Sequence, residues 1–217
     1  MDKPTFRLFF ALWPEETCRT ELASAQYLLQ ANNPAHWIKP ENLHMTLAFL
    51  GDVEVKALDG LAEVAKKIQS QNFELLLDRV EHWRKPQVIC LTPTAHSPIL
   101  EQLATDLTTG LRGAGYSLEK RPYRAHLTLA RKAAYLPKET RLEKPIAWRS
   151  TAFVLVKSTR DAIGSHYTIL ESWRLWSSLS PMGKFVESCD SSPHGSESCD
   201  ESPHSTFGGL NDDLGRL

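Results

Sequence analysis

The chain has 217 residues, of which 41% are hydrophobic and 24% charged, and its formal net charge is −1. This composition is typical of a soluble globular protein with one large domain or two small lobes, and no run approaches the roughly 18 apolar residues of a membrane helix. Of the four cysteines, Cys18 and Cys90 lie in apolar segments and are expected to be core thiols. No disulfide framework is indicated, which predicts a cytoplasmic location.

The charges are divided unevenly along the chain. Residues 180–217 contain two of the 25 basic and seven of the 26 acidic side chains, so residues 1–179 carry an excess of positive charge. The segment ESCDSSPH at Glu187 returns ten residues later as ESCDESPH, among Ser, Gly and Pro. This predicts a single domain over 1–179 and an acidic, Ser-rich disordered tail over 180–217. The mildly basic domain suits a phosphate-bearing ligand.

Strands are predicted from short apolar or alternating runs. In chain order these runs are FRLFFALW, HMTLAFLG, FELLLDRVEHW, QVICLTPT, HLTLAR, TAFVLVKS, HYTIL and WRLWSSL. We expect Gly51 and Asp52 to turn the chain out of the second strand.

Three helices are predicted from apolar residues at helical spacing. The first begins at Pro14, with proline in the first helical position and acids in the first turn. The stripes of the three helices are Cys18, Leu22, Ala25 and Leu29; then Leu58, Leu61, Ala62, Ala65 and Ile68; then, after Ser97 and Pro98, Leu100, Leu103, Leu107 and Leu111. The order of strands and helices before residue 80 returns in looser form after it. We therefore predict an α+β fold with internal duplication, in which each of two lobes is a sheet with helices packed on one face.

The phrase His-x-Thr-Leu-Ala occurs twice, beginning at His44 and at His126. Because side chains alternate along a strand, His44 and Thr46 share one face, and His126 and Thr128 share one face of the second copy. A single His-x-Thr strand is more often an ordinary solvent-exposed face than a site. Two copies with the same continuation, at matching places in two similar halves, favour two half-sites that meet in one concavity.

Such a pair suits displacement at the phosphorus of a cyclic phosphate. The reaction needs a base beside the attacking water and an acid beside the leaving oxygen, and histidine can fill either role near neutral pH. Threonine hydroxyls can donate to the non-bridging oxygens. Neither phrase is accompanied by clustered carboxylates, so no metal and no cofactor are expected.

These residues resemble the two-histidine phosphoesterase superfamily, and within it the bacterial and archaeal RNA 2′,3′-cyclic phosphodiesterases, also called 2′-5′ RNA ligases. The resemblance covers residues 6 to about 178. It rests on RLFFAL, KPENLHMTLAFLG, RPYRAHLTLAR and HYTILESWRL.

The resemblance implies a bilobal fold with two antiparallel-rich sheets, helices on their outer faces, and the active-site cleft between the lobes. It also implies hydrolysis of an RNA terminal 2′,3′-cyclic phosphate to a 2′-phosphomonoester without metal or ATP. It makes His44 the proton donor, His126 the proton acceptor, and Thr46 and Thr128 phosphate-binding residues. The partner is RNA with a cyclic phosphate end or a cyclic nucleotide, and the protein is expected to be a monomer that binds no membrane.

Three further residues are candidates for substrate binding. The resemblance suggests Arg131, but strict alternation points it with Leu127 and Leu129, so its role requires the strand to bend or end there. Trp83 and Tyr167 are aromatic residues that can stack on a nucleobase or simply pack. We expect Phe49 in the core rather than as a platform for base stacking, because alternation places it with Leu47.

Two alternative functions stay open. One is another enzyme, either a small-nucleotide cyclic phosphodiesterase or a 2′-5′ RNA ligase or phosphodiesterase. The other is a non-catalytic RNA-binding module, which the two intact His-x-Thr phrases disfavour because a pure binding protein does not need both imidazoles.

Overall fold

The computed structural model describes residues 3–31, 33–135, 141–161 and 164–177. The tail over 180–217, with Cys189 and Cys199, lies outside the described residues, so its disorder and the boundary at 179 stay predictions. Cys18 and Cys90 are buried free thiols, as expected.

The described part of the chain contains nine strands and three α-helices. These are β1 (Thr5–Leu12), α1 (Glu16–Gln30), β2 (His36–Trp37), β3 (Met45–Glu54), α2 (Leu58–Lys66), β4 (Phe73–Trp83), β5 (Val88–Pro93), α3 (Pro98–Gly113), β6 (Leu127–Arg131), β7 (Arg141–Ser150), β8 (Ala152–Arg160) and β9 (Ser165–Arg174). In the described ranges, no helix combines the length and apolar character that crossing a bilayer requires.

The strands form two antiparallel sheets. The first sheet has the order β3-β1-β8-β9, and the second has the order β2-β6-β5-β4-β7. One His-x-Thr strand lies in each sheet: β3 in the first and β6 in the second. The predicted α+β fold with antiparallel-rich sheets is confirmed.

Neither sheet is built from one half of the chain. β8 and β9 follow the second His-x-Thr strand in sequence, yet β8 pairs with β1 of the first sheet. The short strand β2 precedes the first His-x-Thr strand, yet it pairs with β6 of the second sheet. The two lobes are therefore interleaved along the sequence and are not consecutive halves.

A main core and a smaller cluster lie on opposite faces of the first sheet. Alternation along β1 directs Leu8, Phe10 and Leu12 into the main core with the apolar stripes of the helices. The residues between them, Phe9 and Ala11, face the other way. They form a small cluster with Val154, Val156, Trp13 and Tyr167. His44 packs against this cluster through Phe9.

Two of the strand predictions are wrong, one about where a strand ends and one about whether a strand is separate. The chain does not turn at Gly51 and Asp52; β3 continues to Glu54, and Gly51 adopts a φ of +74° within it. Glycine tolerates this left-handed conformation, so the strand bends without ending. WRLWSSL is not a separate strand either, because Trp173 and Arg174 are the last residues of β9.

Two strands are not predicted at all: the two-residue β2 and the longer β7. The sequence of β7, RLEKPIAWRS, is polar for most of its length and contains Pro145. β7 lies at the edge of the second sheet. Proline is tolerated at an edge because an edge strand leaves part of its N–H groups unpaired.

Candidate active site

His44 and His126 occupy equivalent positions, one residue before β3 and one residue before β6. Nδ1 of His44 lies 2.7 Å from the carbonyl oxygen of Asn42, and Nδ1 of His126 lies 2.8 Å from that of Arg124. Because a carbonyl oxygen can only accept, each Nδ1 carries the hydrogen. In both neutral rings Nε2 is then the nitrogen that a ligand can reach.

Each His-x-Thr strand carries a β-bulge at the same place in the phrase. Thr46 and Ala48 pair with consecutive residues of β1, so Leu47 has no partner. Thr128 and Ala130 likewise pair with consecutive residues of β5, so Leu129 has no partner. A bulge inserts one residue and reverses the alternation of the residues that follow it. The duplication therefore extends from the sequence to the backbone geometry.

The bulges correct the predicted orientation of two side chains. Leu129 and Ala130 are both buried, and Arg131 is exposed. The bend that a substrate-binding role of Arg131 requires is therefore present. Phe49 occupies the matching position in β3 and is 47% exposed, so the expected place in the core is wrong.

Aromatic rings surround the imidazole of His44 on several sides. The ring of Trp13 is parallel to it within 7°, with centroids 5.4 Å apart, and the ring of Phe9 stacks at 4.9 Å. Tyr167 packs edge-on at 5.1 Å. Asn42 also contacts two segments. Its side-chain amide donates to the carbonyl oxygen of Ser165, and its backbone carbonyl oxygen accepts from Nδ1 of His44. The ring of His44 is thus fixed by stacking and by one hydrogen bond.

His126 has a polar neighbourhood built around Glu81. The ring of Trp83 lies 4.5 Å from that of His126, and its Nε1 donates to Glu81 at 2.8 Å. The hydroxyl of Thr92 donates to the same carboxylate at 3.1 Å. Arg124 forms an ion pair with Glu81 and lies over the Trp83 ring, 4.6 Å from its centroid. Trp83 therefore has its indole N–H and one ring face engaged by protein groups.

Burial and nearby cations shift both histidines in the same direction. The pKa of His44 is lowered to about 4, chiefly by burial; the charges of Arg131 and His126 act in the same direction, and the hydrogen bond to Asn42 opposes them. Burial also lowers the pKa of His126, with Arg124 and Arg131 acting in the same direction and Glu81 opposing them. Arg131 is thus within electrostatic range of both imidazoles. The protein without ligand holds two neutral rings near a cation, an arrangement suited to an anion.

The two threonines are half-buried on the same strands. Neither the Thr46 nor the Thr128 side-chain hydroxyl has a hydrogen-bond partner among the described residues, whereas Thr92 and Thr108 do. Both hydroxyls are therefore available to a ligand. Where the structure describes the chain, no cluster of three or more His, Cys, Asp or Glu side chains is arranged to hold a metal ion.

Some of the residues around the histidines are not predicted from sequence. Phe9, Trp13 and Glu81 are distant in sequence from the histidines, whereas Asn42 lies only two residues before His44, and the local pattern gives little sign of their role. Trp13 gives the strongest signal, since it is a large ring at the end of an apolar run next to a proline. Of the predicted substrate-binding aromatics, Trp83 lies beside His126 and Tyr167 beside His44.

Comparison with known proteins finds similar sequences. The family model described as LigT like phosphoesterase matches residues 12–90. A protein of Bacillus subtilis named RNA 2′,3′-cyclic phosphodiesterase is 34% identical over 122 residues, which cover 51% of this chain and 65% of that protein. One of the same name from Escherichia coli is 29% identical over 175 residues, which cover 78% of this chain and 96% of that protein. The chain is therefore similar to the LigT-like phosphoesterases and to relatives named RNA 2′,3′-cyclic phosphodiesterase.

Solved structures agree with this similarity. The crystal structure of E. coli LigT complexed with 3′-AMP matches this chain with a TM-score of 0.74 and 28% identity, over 79% of this chain and 99% of that one. A Thermus thermophilus protein matches with a TM-score of 0.68 and 25% identity, over 79% of this chain and 99% of that one. The resemblance to the two-histidine phosphoesterases is therefore confirmed.

Proposed function

We propose that this protein hydrolyses the 2′,3′-cyclic phosphate at the end of an RNA and leaves a 2′-phosphomonoester. One observation carries the proposal: two imidazoles from different sheets are each fixed through Nδ1, and Arg131 is within electrostatic range of both. In-line displacement needs an acid and a base on opposite sides of the phosphorus. The names of the B. subtilis and E. coli relatives support the same substrate.

In this proposal His126 accepts the proton of the attacking water. The imidazolium that forms is stabilised by Glu81, whose charge raises the pKa of His126 against the effect of burial. Burial would raise the pKa of Glu81 itself, but the hydrogen bond from Trp83, the charge of Arg124 and the hydrogen bond from Thr92 outweigh it and lower that pKa. Glu81 is therefore a carboxylate at neutral pH and suits the neighbour of a general base.

His44 donates its proton to the leaving 3′-oxygen. Its pKa of about 4 makes it neutral in the free protein. A bound phosphate anion favours the protonated form of a nearby imidazole, and the faces of Trp13 and Phe9 stabilise a cation by their quadrupoles. His44 thus gains a proton as substrate binds. Its low intrinsic pKa makes the imidazolium a strong acid.

The phosphate is held by residues on both sheets. Thr46 and Thr128 donate their free hydroxyls to the two non-bridging oxygens, where negative charge persists through the transition state. Arg131 adds a cation that can bind the same group. No metal or cofactor is needed for any of these steps.

The first test of the proposal identifies the product. The protein, treated with EDTA, is incubated with an oligoribonucleotide that ends in a 2′,3′-cyclic phosphate. We expect a 2′-phosphate, and we expect His44→Ala and His126→Ala each to lower the rate about 10²- to 10⁴-fold, the usual contribution of one proton transfer. His96→Ala is the matched control, because His96 pairs with Glu101 on the surface. A 3′-phosphate product, or full activity of either site variant, contradicts the proposal.

A substrate with sulfur in place of the 3′-oxygen separates the two roles. A thiolate leaves without needing a proton, so the loss of a general acid is compensated. We expect this substrate to restore turnover to His44→Ala and not to His126→Ala. If this substrate restores turnover only to His126→Ala, then His126 is the general acid and His44 the general base.

The substrate size distinguishes a second candidate. Solved structures of E. coli LigT include complexes with 3′-AMP, ATP and NADP+, which favours a small-nucleotide cyclic phosphodiesterase. Activity on adenosine 2′,3′-cyclic phosphate with none on the cyclic-ended oligomer would support it. We further propose that the protein acts as a monomer in the cytoplasm, where thiols such as Cys18 and Cys90 remain reduced.

A further inference from the structure

The surroundings of the two histidines share one more arrangement, which ties each histidine to a neighbouring strand. Asn42 lies two residues before His44; its carbonyl oxygen accepts from Nδ1 of that ring, and its side-chain amide donates to the carbonyl oxygen of Ser165 in β9 at 3.0 Å. Tyr167, two residues further along β9, packs edge-on against the His44 ring. One residue thus fixes the ring and also ties its loop to the strand that supplies the adjacent aromatic side chain.

The second histidine has the same arrangement, with a charged side chain in place of the amide. Arg124 lies two residues before His126, and its carbonyl oxygen accepts from Nδ1 of that ring at 2.8 Å. The Arg124 guanidinium forms an ion pair with Glu81 of β4. Trp83, two residues beyond Glu81 in the same strand, has its ring centroid 4.5 Å from that of His126. The tie to the strand is therefore neutral beside His44 and ionic beside His126.

Arg124 also holds the ring of Trp83. Its guanidinium carbon lies 4.6 Å from the Trp83 centroid, where the ring quadrupole attracts a cation, and the Trp83 indole N–H donates to Glu81 at 2.8 Å. The Arg124 and Glu81 side chains thus fix the aromatic ring that packs against His126. The side chain of Glu81 is only 18% exposed, so solvent and salt screen its charge weakly.

We propose that Arg124 is the positioning residue of the general base His126, and that its ion pair with Glu81 fits this ring to accept a proton. This inference rests on the proposed function, in which His126 is the base. The charge of Glu81 stabilises the imidazolium that forms, and the charge of Arg124 opposes it, so the free ring stays neutral and able to accept. Beside His44, the acid of the proposed reaction, the amide of Asn42 takes the place of this pair.

Four charged or titratable groups act on His126. Burial lowers its pKa most; Arg124 and Arg131 act in the same direction, and Glu81 opposes them. The fourth group is His44, because the two imidazoles interact. Since Arg124 and Glu81 act in opposite directions, removing one of these charges alone should shift the pKa of His126 one way, and removing the other should shift it the opposite way.

Ring-nitrogen NMR of the full chain without substrate, titrated with acid, measures this effect. For Arg124→Gln we expect the pKa of His126 to rise by about 0.5 to 1 pH unit, and for Glu81→Gln to fall by about as much. The double variant should return close to the wild-type value. Glu81→Gln keeps an oxygen that can accept from the Trp83 N–H, so this variant removes the charge and retains the contact.

Two controls separate charge from packing. Arg124→Lys keeps the positive charge and should leave the pKa of His126 near the wild-type value. Arg121→Gln removes an exposed arginine of the same loop, which pairs with Glu119, and should not change that pKa. Because the Arg124 side chain is 61% exposed, its variants test the inference even if Glu81→Gln does not fold.

Turnover of adenosine 2′,3′-cyclic phosphate gives a second readout. In each variant, one limb of the pH profile of kcat/KM should move in the same direction as the pKa of His126. The inference is overturned if Arg124→Gln leaves that pKa unchanged, if Arg124→Gln and Glu81→Gln shift it in the same direction, or if the pH profile does not follow it. A wild-type protein that turns over no cyclic phosphate counts against the proposed function instead, and the titration still decides the inference.

Discussion

His44 shows how one side chain combines catalytic potential with a cost in stability. Its imidazole lies between the rings of Trp13 and Phe9, and burial there lowers its pKa to about 4. In an unfolded chain the same group has a pKa of about 6.5. Between these two values the unfolded state binds the proton and the folded state does not. The folded state is therefore favoured above pH 6.5 and loses stability as the pH falls.

This difference predicts a pH dependence of folding. Lowering the pH from about 6.5 to about 4 should reduce the free energy of unfolding by about 3 kcal/mol through His44, since one pKa unit corresponds to about 1.4 kcal/mol. The measurement is urea unfolding across this range for the wild-type protein, for His44→Asn, and for His96→Asn as an exposed control. We expect His44→Asn to flatten the profile by this amount. The same slope in all three proteins would show that His44 is not buried as a neutral ring.

At the scale of elements, the bulge in β6 depends on α1. The side-chain amide of Gln26, which is only 2% exposed, donates to the carbonyl oxygens of Ile38 and of the bulged Leu129 at 2.8 and 2.9 Å. The backbone N–H of Ile38 donates to Leu129 as well, at 2.8 Å. Gln26 thus joins a helix, the segment that follows β2, and the bulge that reorients Arg131.

Replacing Gln26 by leucine tests this connection. The variant Gln26→Leu removes a buried donor from the carbonyl oxygens of Ile38 and Leu129, which should lower the free energy of unfolding by about 1–3 kcal/mol. We also expect a lower kcat/KM for the cyclic phosphate, because the bulge that directs Arg131 outward loses this support. Gln30→Leu, at an exposed position of the same helix, is the control for both measurements. If the two variants have the same free energy of unfolding and the same kcat/KM, Gln26 does not support the bulge.

Local sequence patterns predict where helices and strands form, whereas the pairing of distant strands decides where bulges occur and which way the side chains after them face. The stripe that includes Leu22 and Leu29 predicts α1, and Ser97 with Pro98 predicts the start of α3; Ser97 does cap that helix by accepting from the N–H of Leu100. The two bulges are invisible in the sequence, because a bulge exists only relative to a partner strand. For that reason Phe49 was expected in the core.

The part of the site that is duplicated in the sequence is the part that can be predicted from it. The duplicated phrase identifies His44 and His126 as a pair, since two copies in matching places are an internal comparison that needs no second sequence. Glu81 and Trp13 occur once, and only tertiary packing brings them to the histidines. Glu81 raises the pKa of His126 against burial, and Trp13 stacks on His44, so these parts of the site cannot be predicted from the sequence.

At the scale of the whole molecule, we propose that each sheet supplies half of the site. Thr46 lies in β3 two residues after His44, and Thr128 lies in β6 two residues after His126. The two sheets are interleaved along the sequence and belong to one compact unit. Each half fixes its imidazole by the same bond to the carbonyl two residues earlier. The central claim is that the two Nε2 atoms face one phosphorus.

Ring-nitrogen NMR of the protein, labelled with ¹⁵N and titrated with inorganic phosphate, tests this claim most directly. We predict that Nε2 of His44 and Nε2 of His126 shift together with a single Kd, that both Nδ1 atoms stay protonated, and that the pKa of each ring rises on binding. His44→Ala should weaken the response of His126. Two different midpoints, or a response of one ring alone, would contradict a shared phosphate between the sheets.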